Sequence, residues 1–279
     1  MNSTPLRVGV FGCGFWAPLQ TAGWGEVGGA EIAGLYNRTR SKADELARKL
    51  GGVPVFDRPE DLLRAGIDVA DIITSEESHR PLVELAARHG VHAICQKPMA
   101  PTLADCQAMV RVCQECGTRL MIHDNWRWQT PLRRLKEQLA RSEIGRPFRL
   151  RLVYANSFPV FAKQPFLAKQ EHFILMDIGT HLLDSVRALA GEARALCCRT
   201  ARVTPGIRGE DVATLLLEMA NGMHCTVDMS YASPVEHDRF PETFIHVEGE
   251  KGSLELAPDY WIRQTVGGRT TAFRAPPPI

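Results

Sequence analysis

Through residue 125 the chain alternates short apolar runs with longer stretches whose apolar positions recur at helical spacing. Leu6–Phe11 reads as a strand and runs into a glycine turn, after which a helix begins. Glu31–Tyr36 is a second strand. A helix follows over Ser41–Leu50, with Ser41 as N-cap and Gly51 as its stop. Val53–Phe56 is short and β-rich, Asp61–Ala65 a brief helix, and Val69–Thr74 a buried strand. Pro81–His89 reads as a helix ended by Gly90, His92–Cys95 as a strand, Leu103–Cys116 as a helix ended by Gly117, and Arg119–His123 as a strand. Compact apolar strands alternating with helices predict a parallel sheet covered on both faces.

The rhythm then changes. Pro131–Arg141 reads as a helix, Phe148–Tyr154 as a strand with one exposed face, and Asp177–Ala190 as a helix. Mostly strands follow. Val212–Met219 and Met223–Tyr231 flank Asn221-Gly222, a strong tight-hairpin signal. Phe244–Val247 and Ser253–Leu256 flank Gly249-Glu250-Lys251-Gly252, a second hairpin. The expected fold class is an α/β Rossmann domain with a parallel sheet over residues 1–126. An α+β domain with a mainly antiparallel sheet follows over residues 127–279.

Composition changes this picture little. Charged residues make up 23% and hydrophobic ones 44%, as in ordinary globular proteins. A formal charge of +1 gives no field favouring nucleic acid or an anionic membrane. No apolar run approaches the length of a membrane span, and Met1–Pro5 lacks the charged start of a secretory leader. Eight cysteines are present, but Cys113 and Cys116 form a lone C-x-x-C without histidines at zinc spacing. Reduced thiols in a cytoplasmic protein, and no metal, are the expectation.

Candidate chemistry begins at Gly12-Cys13-Gly14-Phe15-Trp16-Ala17, a G-x-G-x-x-A turn between the first strand and the first helix. A dinucleotide pyrophosphate needs backbone N–H groups at a helix N-terminus, hence glycine at the tight turn and at the close approach. A small residue, Ala17, is needed where the helix packs on the strand. After the second strand, where Asp or Glu usually binds the ribose of NAD, stand Asn37-Arg38-Thr39-Arg40. Two guanidiniums and a hydroxyl form a donor-rich set suited to a 2′-phosphate, so NADP is expected. The alternative is NAD, with Asn37 making neutral hydrogen bonds beside a solvated turn.

Two further motifs carry a resemblance. Cys95-Gln96-Lys97-Pro98 closes the fifth strand, and Asp177-Ile178-Gly179-Thr180-His181-Leu182-Leu183-Asp184 opens a helix of the second domain. With the glycine turn, these resemble the Gfo/Idh/MocA family of glucose–fructose oxidoreductase, inositol dehydrogenase and the rhizopine catabolism protein. The resemblance runs over essentially the whole chain and includes the Gly249–Leu254 hairpin. It implies that Lys97 reaches towards nicotinamide and substrate, and that His181 is the acid/base that exchanges the substrate hydroxyl proton. Asp177, four residues earlier and so on one helix face, is implied to assist or orient it. Gln96 departs from the family's usual glutamate and removes a negative charge beside Lys97.

Thr74, Ser75 and His79 are implied near the cofactor, although this chain lacks the family's proline after the threonine. Asn125 and Arg127 are expected at the substrate cleft, with Gln164 and His172 as softer candidates. The implied activity moves hydride between NAD(P) and a hydroxyl or carbonyl carbon of a sugar, cyclitol or similar polyol. Histidine, titrating near neutrality, suits the accompanying proton transfer. Two alternatives stay open: a redox-neutral, NAD-dependent glycosidase-type enzyme, and a non-enzymatic dinucleotide-binding regulator. A homodimer or homotetramer is implied. The family also continues past the segment matching Arg269–Arg274, whereas this sequence ends at Ile279.

Overall fold

The computed structural model describes residues 4–235 and 241–278; Met1–Ser3, part of the stretch read above for a leader, lie outside them. The chain forms two compact units, Met1–His123 and Asp124–Ile279.

The first unit is a six-stranded sheet built from β1 (Leu6–Phe11), β2 (Ala30–Tyr36), β3 (Val55–Phe56), β4 (Val69–Ile72), β5 (His92–Gln96) and β6 (Leu120–His123). Its order is β3-β2-β1-β4-β5-β6, and every pairing is parallel. The helices between are α1 (Ala17–Val27), α2 (Arg40–Lys49), α3 (Pro59–Arg64), α4 (His79–Arg88) and α5 (Leu103–Glu115). The expected parallel α/β fold is therefore present. β1 ends in four consecutive buried residues because both of its faces are covered. Helix α4 buries His79, Val83, Ala86 and Ala87, a single stripe at helical spacing, and ends before Gly90 at φ 73°. At the start of α5, Thr102 Oγ1 accepts from the Asp105 N–H at 3.1 Å and donates to its carboxylate at 2.6 Å.

Helix α2 begins one residue before the expected Ser41 cap, because Thr39, not Ser41, holds the extended cap conformation. Since all six strands run the same way, the segments after β1, β2, β4, β5 and β6 emerge on one edge of the sheet. The order reverses between β1 and β4, the position where open α/β sheets bind ligands.

The second unit holds α6 (Thr130–Ala140), β7 (Pro147–Ala155), α7 (Val160–Lys163), α8 (Thr180–Ala190) and the strands β8 (Ala193–Ala201), β9 (Val212–Met219), β10 (His224–Ser230), β11 (Phe244–Gly249), β12 (Gly252–Ala257), β13 (Trp261–Val266) and β14 (Arg269–Arg274). Their order is β14-β13-β12-β11-β7-β10-β9-β8, antiparallel throughout except for β7 beside β10. Both expected hairpins form, with Gly222 at φ 87° in the tight β9–β10 turn. Alternate residues point inward: Leu150, Leu152 and Tyr154 from β7, Cys225, Val227 and Met229 from β10, Ile245 and Val247 from β11. They share one core with Leu182 and Val186 of α8 and Leu132 and Leu135 of α6. At about 1.5–3 kcal/mol per fully buried apolar side chain, this layer is what fixes α8 on the sheet. The opposite sheet face mixes polar pairs such as Thr214–Asp228, joined at 2.7 Å, with exposed apolar side chains such as Leu216.

All eight cysteines are free, and burial pushes the Cys13 thiol up to about 11. Among the described residues, no helix is long and apolar enough to cross a membrane.

Candidate active site

The strand ends of the first unit carry the cofactor candidates. Gly12 sits at φ 105°, and a Cβ there would lie 2.6 Å from the Ile73 carbonyl oxygen. Only glycine lets β1 turn this close to the end of β4. A Cβ on Gly14 would meet nothing within 4 Å, so the turn is open on that side. The exposed turn residues Phe15 and Trp16 lead into α1, which has no acidic residue in its first turn. Thr74, just after β4 and beside Gly12, keeps a buried hydroxyl oxygen that has no hydrogen-bond partner among the described residues. An open glycine turn at a helix N-terminus and an unsatisfied hydroxyl next to it fit a dinucleotide. Ser75, the next residue, is exposed.

After β2, Asn37 is a structural residue as well as a candidate. Its Oδ1 accepts from the Cys13 N–H at 2.9 Å and its Nδ2 donates to the Thr39 carbonyl at 2.8 Å, tying the β2 end to the glycine turn. Arg38 and Thr39 are exposed. Arg40 does not join them as a free donor. It pairs with Asp44 at 3.0 Å and Asp57 at 2.5 Å, so one of the two guanidiniums expected for a 2′-phosphate is already neutralised.

Around the end of β5, His79 is buried and braces two loops. Its Nδ1 lies 3.0 Å from the Pro98 carbonyl oxygen, and its Nε2 lies 3.1 Å from that of Thr74. Lys97 is half-buried between them in sequence, and its charge acts on Glu76, whose carboxyl burial raises. Gln96 Oε1 accepts from the Lys97 N–H at 2.8 Å. Gln96 Nε2 donates to Gln20 Oε1 at 3.1 Å, and His123 Nδ1 approaches the same oxygen at 3.0 Å. Gln20 Nε2 in turn donates to Asp71 Oδ1 at 2.5 Å, while Trp24 Nε1 donates to Asp71 Oδ2 at 2.7 Å. Asp71 lies inside β4 with no exposed surface, and burial pushes its carboxyl up to about 6.

In the second unit, His181 lies in the first turn of α8. Its Nδ1 is 2.8 Å from Asp124 Oδ1, and its ring stacks on Trp126 at 4.9 Å and 5°. Asp124 also accepts the Trp126 N–H at 3.1 Å, so one buried carboxylate fixes both members of the stack. A carboxylate can only accept, so Nδ1 carries a proton, and Nε2 is the nitrogen left to exchange one.

The carboxylate at His181 Nδ1 is Asp124, which sequence reasoning did not nominate. Asp177 accepts from the Tyr231 hydroxyl at 3.0 Å. Leu175–Gly179 is a π-helical turn, and α8 proper starts at Thr180. Burial, and then the Asp177 charge, push the Tyr231 phenol up, keeping it a donor.

Arg127 forms a two-pronged pair with Asp184 of α8, which fixes the direction of its guanidinium. Asn125 is half-buried beside Trp126 in sequence. Gln164 ends α7, and His172 is exposed before the π-turn, with no hydrogen bond to His181 from either.

Comparison with known proteins gives a consistent assignment. Residues 6–123 match the model of an oxidoreductase family with an NAD-binding Rossmann fold, GFO/IDH/MocA, and residues 132–255 match a GFO/IDH/MocA C-terminal domain. The chain is 41% identical to a D-apiose dehydrogenase from Rhizobium rhizogenes, over 100% of this chain and 81% of that protein. It is also 41% identical to a D-apiose dehydrogenase from Paraburkholderia graminis, over 97% and 72%. A solved oxidoreductase from Agrobacterium radiobacter, in complex with NAD+, L-tartaric acid and magnesium, superposes with TM-score 0.95 at 41% identity, covering 98% of this chain and 80% of that one.

Proposed function

The chain belongs to the GFO/IDH/MocA oxidoreductase family, and from that premise we propose that it is an NAD-dependent dehydrogenase of a small sugar, with D-apiose as the first substrate to try. The observation that carries this reading is the Asp124–His181 pair: a buried carboxylate holds Nδ1–H and leaves Nε2 free to take a proton. Oxidising an alcohol breaks a C–H bond as hydride leaves and an O–H bond as the carbonyl forms. His181 Nε2 receives the hydroxyl proton and returns it on reduction. Bound NAD supplies the hydride acceptor. Lys97 stabilises negative charge developing on the reacting oxygen. Gly12, Gly14, Phe15 and Trp16 hold the pyrophosphate through backbone N–H groups, with Asn37, Arg38 and Thr39 at the ribose and Thr74, Ser75, His79 and Gln96 lining the cofactor side. Asp177, through Tyr231, stiffens the turn that carries His181. Asn125, Gln164 and His172 are the substrate-side candidates.

We take NAD as the working cofactor, in line with the family model and the NAD+ complex of the relative. Any use of NADP runs through Arg38, because Arg40 is spent on Asp44 and Asp57. A cytoplasmic homodimer or homotetramer belongs to the same reading; the apolar side chains exposed on the second sheet, Phe148, Leu196 and Leu216, support the oligomer. The test is spectroscopic. With NAD and D-apiose, then other pentoses, hexoses and cyclitols, the NADH absorbance band should grow. His181→Ala should lower kcat by about 10²–10⁴-fold while NAD affinity holds. Full turnover in His181→Ala removes its acid/base role, and no absorbance change with any sugar removes the dehydrogenase reading.

A further inference from the structure

A parallel strand buried on both faces should be apolar, yet β4 carries Asp71 with no exposed surface. Among the described residues no cation pairs with it; its partners there are neutral donors from one face of α1, Gln20 and Trp24, four residues apart. An ionised carboxylate accepts only, and the Trp24 indole donates only. Asp71 therefore forces the Gln20 amide to point its NH2 inward, which turns Gln20 Oε1 towards β5 and β6. That oxygen takes Gln96 Nε2 at 3.1 Å; His123 Nδ1 lies 3.0 Å from the same oxygen and 3.4 Å from Gln96 Nε2, and the shorter contact fits Nδ1–H donating to the oxygen. With its NH2 so engaged, Gln96 must point Oε1 at the Lys97 N–H, 2.8 Å away. Amides are asymmetric, so one charge at the end of the row fixes the sense of every bond along it.

We infer that Asp71 and Gln20 are positioning residues for Lys97, acting through a hydrogen-bond relay whose direction the Asp71 carboxylate sets. The inference rests on the role given to Lys97 above. It makes Gln96 and Asp71 a matched pair. In Gln96→Glu alone, the new carboxylate faces the Gln20 oxygen, acceptor against acceptor. In Asp71→Asn alone, the new amide lets Gln20 turn over, after which Gln96 presents its NH2 to the Lys97 N–H, donor against donor. With both changes, Gln20 donates to the new carboxylate, which also accepts the Lys97 N–H; His123 Nδ1, 3.4 Å from the Gln96 Nε2 position, turns from the Gln20 oxygen to that carboxylate.

The experiment is a double-mutant cycle on kcat with saturating NAD and D-apiose, with circular dichroism of each variant as a check on the fold. Each single change should cost about 10–100-fold in kcat, the scale of a misplaced group, with the spectrum kept. The double variant should return to within a few-fold of the parent. Merely structural roles would instead multiply, and multiplicative losses overturn the relay, as does full kcat in Asp71→Asn. If a single variant fails to fold, Gln20→Met takes its place: it cuts the relay and should lose kcat, and full kcat there also overturns it. Lys97→Met, run in parallel, separates the two readings. Turnover surviving in it removes the role of Lys97 itself; turnover lost in it, with multiplicative effects elsewhere, removes only the relay.

Discussion

Asp71 should make the protein less stable as the pH rises from acid to neutral, and Asp71→Asn should abolish that part of the dependence. The ordinary carboxyl value is 3.8, and burial raises it to about 6 against the pull of the Trp24 and Gln20 hydrogen bonds. Because the folded state holds the proton more tightly than the unfolded one, the contribution to stability is full below 3.8. It is lost as the pH rises through about 6. The whole gap corresponds to about 3 kcal/mol, and the portion falling between pH 4.5 and 7.5 is about 2 kcal/mol. Urea unfolding of parent and variant at those two pH values gives four stabilities. Every other titrating group is common to both proteins and cancels in the difference. The parent should lose about 2 kcal/mol more than the variant over that interval. An equal loss in both, or a larger one in the variant, would show that Asp71 is not an uncompensated buried charge and would refute the reasoning.

Two other outcomes follow from the geometry. Asp124→Asn removes the acceptor that fixes the His181 tautomer, so kcat should fall about 10²–10⁴-fold with little change in NAD affinity; steady-state kinetics with sugar and NAD check this, and an unchanged kcat would free His181 from Asp124. Arg38→Ala should leave kcat/KM for NAD within a few-fold and depress it for NADP, measured side by side; an equal fall for both would place Arg38 outside cofactor discrimination.

The features legible in the sequence are those set by local chemistry. The glycine turn, the strand-helix alternation and the Asn221-Gly222 hairpin each depend on backbone conformation or on one buried face. Strand β8 was not legible, because as an edge strand it is exposed along nearly its whole length and shows no alternation. Strands β13 and β14 lie at the other edge, and β14 is exposed throughout. The site was half legible for a related reason. Residue type marked His181 and Lys97, but their partners are set by tertiary contacts: Asp124 lies 57 positions from His181, and Asp57 lies 17 from Arg40. The helical spacing of Asp177 and His181 gave no sign of Asp124, which reaches His181 from a segment distant in sequence. Asp71 passed as one polar residue in an apolar run.

That overlooked carboxylate changes the meaning of Gln96. Taken alone, a glutamine where the family usually has glutamate is a lost charge beside Lys97. Within the network the negative charge is not absent; it lies two hydrogen bonds away, on Asp71, with Gln20 between. Its burial costs stability at neutral pH, and a hydrophobic residue in the middle of β4 would avoid that cost. What the buried carboxylate contributes, and an apolar residue could not, is direction: it leaves the two amides a single arrangement in which every donor meets an acceptor. Stability is thus given up at the centre of the sheet for order at its edge, where Lys97 stands.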